Sequence, residues 1–352
     1  MEQFIGCDAH KNFSVFVAVN EKGHAGEALR VAHDRQLYRE FLARLPPHSA
    51  IAVEASGHYS WMVDEMEQSG HCPKLCNPLE AKRRMGLRKK TDTLDARGLA
   101  ILLRNGTLPE VWIPPSELRD QRELLRLRIF LVHLRTRVKN RIHGTLARHN
   151  LQVQGADLFG VAARRQLGTR LPELPAHSRE AVEQELATLD FLKTQIDSAE
   201  QRLEAIMSVS AEADLLKTLP CVGTVLSMVL MLEIGRVDRF PTAAHLASYA
   251  GLVPRVHSSG GHTRMGQVCR NVNRNLKWAF VETGSLVVVN QRGLAGTHVV
   301  RLYQRIKRAK NHQKAVVAVA RHLAEAAWWV LTKQEVYREP QSSRLALSST
   351  HG

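Results

Sequence analysis

Residues 3–19 read QFIGCDAHKNFSVFVAV. Two apolar runs, 3–8 (QFIGCD) and 13–19 (FSVFVAV), predict two strands joined by a turn at AHKN. The first run carries Asp8, and a carboxylate among apolar strand residues is costly unless a cation or hydrogen bonds satisfy it. Working outward, Glu21-Lys22-Gly23-His24 signals a second turn and places a third strand over roughly Ala25 to Val31. Leu37, Phe41 and Leu45, at four-residue steps, predict a helix over His33 to Leu45. Ile51-Ala52-Val53 reads as a short buried strand ending at Glu54, Trp61 to Ser69 as a helix and Cys72 to Cys76 as a strand. Asp92 to Arg104 is helical, with an apolar stripe of Leu94, Leu99 and Leu102-Leu103. Strands first and alternating helices later predict an α/β domain over residues 1–115.

From Leu118 the pattern changes. Leu124, Leu127, Leu131, Leu134 and Val138 repeat at 3,4 spacing, a heptad seam, and a second seam runs Leu189, Leu192, Ile196, Ala199, Leu203, Ile206. Two long helices around a Gly- and Pro-punctuated connector predict a coiled-coil arm over 116–213, folding back on itself or pairing between subunits. A mostly α-helical C-terminal domain is expected over 214–335, and a Ser-rich disordered tail over 336–352.

The chain of 352 residues has a net charge of +15, which calls for a polyanionic partner. A membrane is a poor candidate, because the longest uncharged apolar stretch, Thr218 to Leu232, is broken by Pro220 and Gly223. There is no secretory signal, and five scattered cysteines fit a reducing cytoplasm. Cys72 and Cys76 resemble half a zinc site, but no second pair at ligand spacing follows, so inert thiols are the default. The charge is concentrated in three islands. Lys82 to Lys90 has six basic residues and no acid, Arg119 to Arg148 nine against two, and Arg301 to Lys314 six against none. Solvated helix faces would need interspersed acids for i,i+4 pairing, so the islands read as a nucleic-acid footprint.

Four acids stand out: Asp8, Glu54, and Asp92 with Asp95 in TDTLDA. Each alone has a plain structural explanation: a helix cap or first-turn acid at Asp92, a turn former at Asp8, a strand-end surface acid at Glu54. Together, on two strands and one helix face, they match a carboxylate cluster that binds Mg²⁺ and neutralises phosphate charge. IGCDAHK (5–11), VEASGHY (53–59) and KTDTLDAR (90–97), in this order and spacing, resemble the RuvC-like, RNase H-like domain of DEDD-type insertion-sequence transposases. The segment LPCVGTVLSMVLMLEIG (219–235), with RF (239–240) and LASYAGLVPRVHSSGG (246–261), resembles the same family's C-terminal transposase domain. One departure from the family pattern is Asn271-Val-Asn-Arg-Asn-Leu-Lys.

The resemblance implies that Asp8, Glu54, Asp92 and Asp95 chelate Mg²⁺. It implies a DNA recombinase that excises and inserts a mobile element, guided by a structured RNA and assembled as dimers and tetramers around DNA. On residues alone, Ser258-Ser259-Gly260-Gly261 in a polar surface loop over 256–264 is equally a glycine-rich linker; the resemblance places a nucleophilic serine on Ser259, with a phosphoserine link to DNA. No P-loop supplies energy from ATP, so conserving bond energy in such a link matters. Nucleic-acid contacts are expected from Lys82, Arg83, Arg84, Arg88, Lys89, Lys90, Arg255 and Arg264. Leu219 to Gly223 matches a helix-hairpin-helix pattern in which Gly223 permits the tight turn and the next helix offers amides to a phosphate, although an ordinary αα-hairpin has the same look. The alternative function is a Holliday-junction-type metal-dependent endonuclease using the same four acids without a covalent intermediate.

Overall fold

The computed structural model describes residues 3–86, 91–153, 157–207, 210–259, 262–268 and 272–340, in two compact units, Met1–Ser116 and Glu117–Gly352. In the first unit, β1 (Gln3–Ala9), β2 (Phe13–Asn20) and β3 (Leu29–Ala32) form an antiparallel meander. Helix α1 (Arg35–Leu42) leads to β4 (Ala50–Glu54), and α2 (Tyr59–Gln68) leads to β5 (Cys72–Cys76). β4 and β5 run parallel to β1, so the sheet order is β3-β2-β1-β4-β5. Helices α3 (Pro78–Met85) and α4 (Asp92–Arg104) complete the unit. This mixed α/β sheet is consistent with an RNase H-like domain of the DEDD type.

The sheet is covered on both faces, and strand alternation decides what each face carries. Ile5, Cys7, Phe16, Ile51 and Val53 pack with Tyr38 and Leu42 of α1 and Met62 and Met66 of α2. Val15, Val17 and Val19 pack on the other face with Ala96 and Ala100 of α4. Two expectations change here. The third strand starts only at Leu29, because after the Gly23 turn Ala25 makes a single isolated bridge to Val19. Helix α1 is shorter than expected because Asp34 accepts from the Leu37 amide and caps it; its buried residues are Tyr38 and Leu42, whereas Leu37 is 50% exposed.

The second unit opens with α5 (Ser116–Arg148), which at about 1.5 Å per residue extends roughly 50 Å. Helix α6 (Val161–Arg170) and a short 3-10 turn then lead to α7 (Ala176–Met207). Arg128 pairs with Glu200 and Arg141 with Glu185, so α5 and α7 run antiparallel within one chain. The seam read on α7 is buried from Leu189 through Leu203. The seam read on α5 is only partly the packed face: Leu127 is 45% exposed, Leu124 and Val138 pack at the edges of two cores, and the buried apolar residues are Leu125, Ile129, Ile142 and Leu146. Leu125 and Ile129 join the main helical core, and Ile142 and Leu146 join a small core with Leu167 of α6 and Val182 of α7. Neighbouring elements together with α7 therefore select the face.

The remaining elements are α8 (Ala211–Lys217), α9 (Thr224–Ile234), α10 (Ala243–Tyr249), β6 (Pro254–Ser259), β7 (His262–Val268), α11 (Arg274–Val289), α12 (His298–Ala309) and α13 (His312–Lys333). Residues 336–340, expected within a disordered tail, make defined contacts: the Tyr337 amide donates to Thr218 Oγ1, and Glu339 accepts from the His298 amide at the start of α12. The rest of that tail, residues 341–352, lies outside the described residues. Among the described residues no helix is long and apolar enough to cross a membrane.

Candidate active site

The site begins with strand parity. Gly6 and Ala52 point away from the face that Ile5, Cys7, Ile51 and Val53 share, so Asp8 and Glu54 fall on the face covered by α4. Cys7 pairs with Val53, and the next residue on each parallel strand is an acid. Asp8 is buried to 8% exposure.

Helix α4 brings the other two acids. Thr91 Oγ1 accepts from the Leu94 amide and caps the helix, so Asp92 is the first helical residue rather than the cap, and Asp95 follows one turn later. The helix can approach because position 6 is glycine: a Cβ there would stand 1.9 Å from the Ala96 carbonyl oxygen and 2.7 Å from the Ala100 nitrogen. β1 and α4 are therefore in backbone contact at Gly6, and this contact delivers the first turn of α4 to Asp8.

His10, which sequence reasoning passed over as part of a turn, stands between them. Its Nε2 lies 3.2 Å from Asp8 Oδ2 and 3.2 Å from Asp92 Oδ2, and the ligating atoms of all three lie within 4.8 Å of one another. The ring stacks on Phe13, with centroids 4.6 Å apart. Its Nε2 is buried and has no hydrogen bond of good geometry. A buried polar atom without a hydrogen bond, aimed at two carboxylates, fits a divalent cation. Ligands about 2.1 Å from an octahedral ion lie about 3 Å from each other, close to the separations seen. In the sequence Asp8 and His10 stand two apart, at the end of β1 and just past it, and the pair acquires a metal reading only once α4 brings Asp92 to it. Glu54 and Asp95 are on the same side of the sheet but outside this tight cluster.

The thiols contribute nothing to it. Burial pushes Cys7 and Cys76 up to about 12, so both are neutral, and Cys72 and Cys76 sit four residues apart on β5, roughly 13 Å, too far to share a zinc ion.

Of the expected nucleic-acid contacts, Lys82, Arg83 and Arg84 lie exposed on α3; Arg83 bridges to Glu80 and Arg84 donates to the Thr107 carbonyl. Arg88, Lys89 and Lys90 lie outside the described residues. Four of the nine basic residues in the second island are paired within the protein. Arg122 and Arg126 reach Glu233 of α9, Arg128 reaches Glu200 and Arg141 reaches Glu185. The acids missing from the sequence of α5 come from other helices.

The serine segment is not a loop. β6 and β7 form an antiparallel hairpin with Ser259 opposite His262 and His257 opposite Arg264. Two polar runs separated by Gly-Gly are themselves a hairpin signature, which the polarity of the segment concealed. By register, positions 257, 259, 262 and 264 fall on one face of the ribbon and 258 on the other, with Arg255 at the register shift after Pro254. The turn before α9 also differs from expectation. Its left-handed residue is Cys221 (φ 61°), whereas Gly223 is extended (φ −92°) and is the N-cap of α9 without a side-chain cap.

A buried network that sequence reasoning did not find joins α5, α9 and the start of α11. Glu233 is 0% exposed and accepts from Arg126, from Asn273 at 2.7 Å and from Asn275 at 2.9 Å. Burial alone would raise its carboxyl; these donors outweigh burial and hold it below the usual carboxylate range. Asn273 also caps α11, the helix that follows the hairpin. The departure noted at 271–277 thus supplies two amides to a buried carboxylate.

An acid cluster on an RNase H-like sheet, followed by a helical unit with a serine hairpin, defines a nucleic-acid-processing enzyme of the DEDD type. A DEDD-type IS110 transposase family model matches residues 5–151, and the model described as the transposase IS116/IS110/IS902 family matches 213–298. The chain belongs to the DEDD-type insertion-sequence transposases. It is 26% identical to the transposase for insertion sequence element IS1328 of Yersinia enterocolitica, covering 95% of this chain and 98% of that one. It is 24% identical to the transposase for IS1111A of Coxiella burnetii (96% and 91%), and 23% identical to a pilin gene-inverting protein of Moraxella bovis (95% and 97%).

Proposed function

We propose that this transposase excises and inserts a mobile DNA element by metal-assisted strand cleavage in the first unit and a phosphoserine intermediate on Ser259 in the second. The observation that carries the reading is the meeting of Asp8, Asp92 and the buried His10 Nε2 in the α4-covered corner of the sheet. Asp8, Asp92 and His10 would hold the cation, with Glu54 and Asp95 beside them. Bound there, Mg²⁺ supplies positive charge that neutralises the phosphate and favours attack on phosphorus. Gly6 sets the distance between strand and helix acids, and the burial of Asp8 limits competing water.

Ser259 does the joining chemistry. Its Oγ forms a bond to phosphorus as the bond from phosphorus to the deoxyribose oxygen breaks, and the serine proton ends on the leaving hydroxyl. One phosphodiester is exchanged for another, so rejoining runs the same step backwards without ATP. Position 264 shares the hairpin face of 259 by register, which supports a role for Arg264 in steering phosphate; Arg255 and the amides after Gly223 would add further contacts. A relative named as a gene-inverting protein supports the reading, because inversion requires rejoining of cut strands. A structured guide RNA and assembly into dimers and tetramers rest on the family resemblance.

The test incubates the protein with element-end DNA and total RNA in Mg²⁺ and looks for a denaturant-resistant adduct. The wild type should form it and Ser259→Ala should not. Cleavage with no adduct in the wild type would favour the junction-nuclease chemistry instead.

A further inference from the structure

The three basic islands part ways once their partners are known. The four arginines of α5 that reach Glu233, Glu200 and Glu185 are spent inside the protein. Helix α12 is different. Val299, Val300 and Tyr303 are buried, and Arg301, Arg305 and Arg308 lie at i, i+4 and i+7 on the opposite side, all exposed. Lys310 and Lys314 extend the charge across the turn into α13 and are exposed too. Among the described residues none of these five is in an ion pair; Arg301 donates to the Gly296 carbonyl. A groove of about 490 Å³ runs along the stripe between His298, Arg301, Leu302, Gln304, Arg305 and Arg308.

We propose that this face of α12 binds the phosphate backbone of duplex DNA, through Arg301, Arg305 and Arg308. Seven residues of helix rise about 10 Å, over which one strand of a duplex presents about three phosphates. Guanidinium forks match phosphate oxygens, and a stripe without acids imposes no repulsion along that length. Glu339 accepts from the amide at the N-terminus of α12, so the track runs from Arg301 away from it toward Lys310. Among the described residues the exposed stripe carries no Phe, Tyr or Trp, since Tyr303 is buried, and the His298 ring is already packed against His322. Single-stranded RNA recognition leans on stacking platforms, so a phosphate-only face favours a duplex. This proposal rests on the DNA-handling role above but adds a surface outside the serine hairpin and the acid cluster.

The experiment measures binding of the full chain to a duplex DNA and to a duplex RNA hairpin by fluorescence anisotropy from 50 to 200 mM salt. It compares the wild type, R301Q/R305Q/R308Q, R301K/R305K/R308K and a control, K193Q/K217Q/R236Q, whose residues are all ion-paired on the surface. The Gln triple should lower the salt slope on DNA by about 3 and weaken binding on the order of a hundredfold at 0.1 M salt. The Lys triple should keep the slope, because charge is retained, and the control should resemble wild type. An unchanged slope in the Gln triple, or an equal loss in the Lys triple, overturns the proposal while leaving the transposase reading intact. A loss confined to the RNA overturns the assignment to DNA. If the wild type binds neither nucleic acid, the functional reading itself fails.

Discussion

A Cβ on Gly6 would stand 1.9 Å from the carbonyl oxygen of Ala96, so strand β1 and helix α4 touch through their backbones. Nothing flexible can yield there. Gly6→Ala should therefore push α4 off the sheet, separate Asp92 from Asp8, and destabilise the first unit by about 1–3 kcal/mol. Thermal melting and Mn²⁺ binding check this together. Wild-type metal affinity in a folded Gly6→Ala protein would show that the contact does not set the site.

Asp8→Asn keeps shape and removes charge. It should abolish strand cleavage in Mg²⁺ while the melting temperature stays near wild type or rises, because Asp8 is buried beside other acids. His10→Ala should weaken Mn²⁺ binding by roughly 10–100-fold even where DNA is absent, the range seen when groups that orient metal ligands are lost. Unchanged Mn²⁺ binding in His10→Ala would remove the imidazole from the centre.

The hairpin register separates two adjacent serines. Positions 258 and 259 face opposite sides of the ribbon, so Ser259→Ala should lose recombination and the covalent adduct together while keeping DNA binding. Ser258→Ala should keep most activity. If mass spectrometry of Ser259→Ala finds the adduct on another residue, the nucleophile assignment is wrong.

Much of the first unit was legible because its signals are local. Alternation in 3–19 set the meander, and Thr91 followed by two acids marked the start of α4. What failed was non-local. In the apolar repeat Leu37, Phe41, Leu45 the last two pack at the edge of the core, yet the fully buried residues of α1 are Tyr38 and Leu42 and Leu37 stays exposed, because the sheet beneath decides which side packs. The α5 seam is shifted in the same way, with Leu125 and Ile129 more deeply buried than Leu124 and Leu127. His10 and Glu233 could not be assigned without the fold: one acquires meaning from a helix that starts 82 residues later, the other from amides 40 and 42 residues on.

The basic islands show how this changes a functional expectation. Charge density alone made Lys82 to Lys90 and the Arg119 to Arg148 helix equal candidates for about six phosphates, a number that predicts a thousandfold loss of affinity from 50 to 200 mM salt. With Arg128 and Arg141 paired to Glu200 and Glu185, R128Q/R141Q should cost stability and leave the salt slope nearly unchanged. K82Q/R83Q/R84Q, on exposed α3, should lower that slope by about 2, since Arg83 is paired to Glu80, with little effect on melting. Anisotropy titrations across salt decide between them, and a steep slope change in the α5 variant would restore that helix as a contact surface.

Glu233 supplies a pH signature of its own. Its folded carboxyl lies below the ordinary range because Arg126, Asn273 and Asn275 outweigh the cost of burial. A depressed folded value means the charged form stabilises the fold. That contribution is complete above the unfolded value, about 4.3, and is lost as pH falls through the folded one. Glu233→Gln leaves the buried Arg122 and the Arg126 guanidinium without their anion. Losing one partner of a buried pair costs about 3–5 kcal/mol, or on the order of 10 °C in melting temperature for a unit of this size. The gap between wild type and Glu233→Gln should be widest at neutral pH and narrow as acid protonates the wild-type carboxylate. Because Asn273 caps the helix after the serine hairpin, adduct formation should fall in this variant below its melting temperature, while metal binding to the first unit stays unchanged. A gap that does not depend on pH between 3 and 7 would mean that Glu233 acts through its shape rather than its charge.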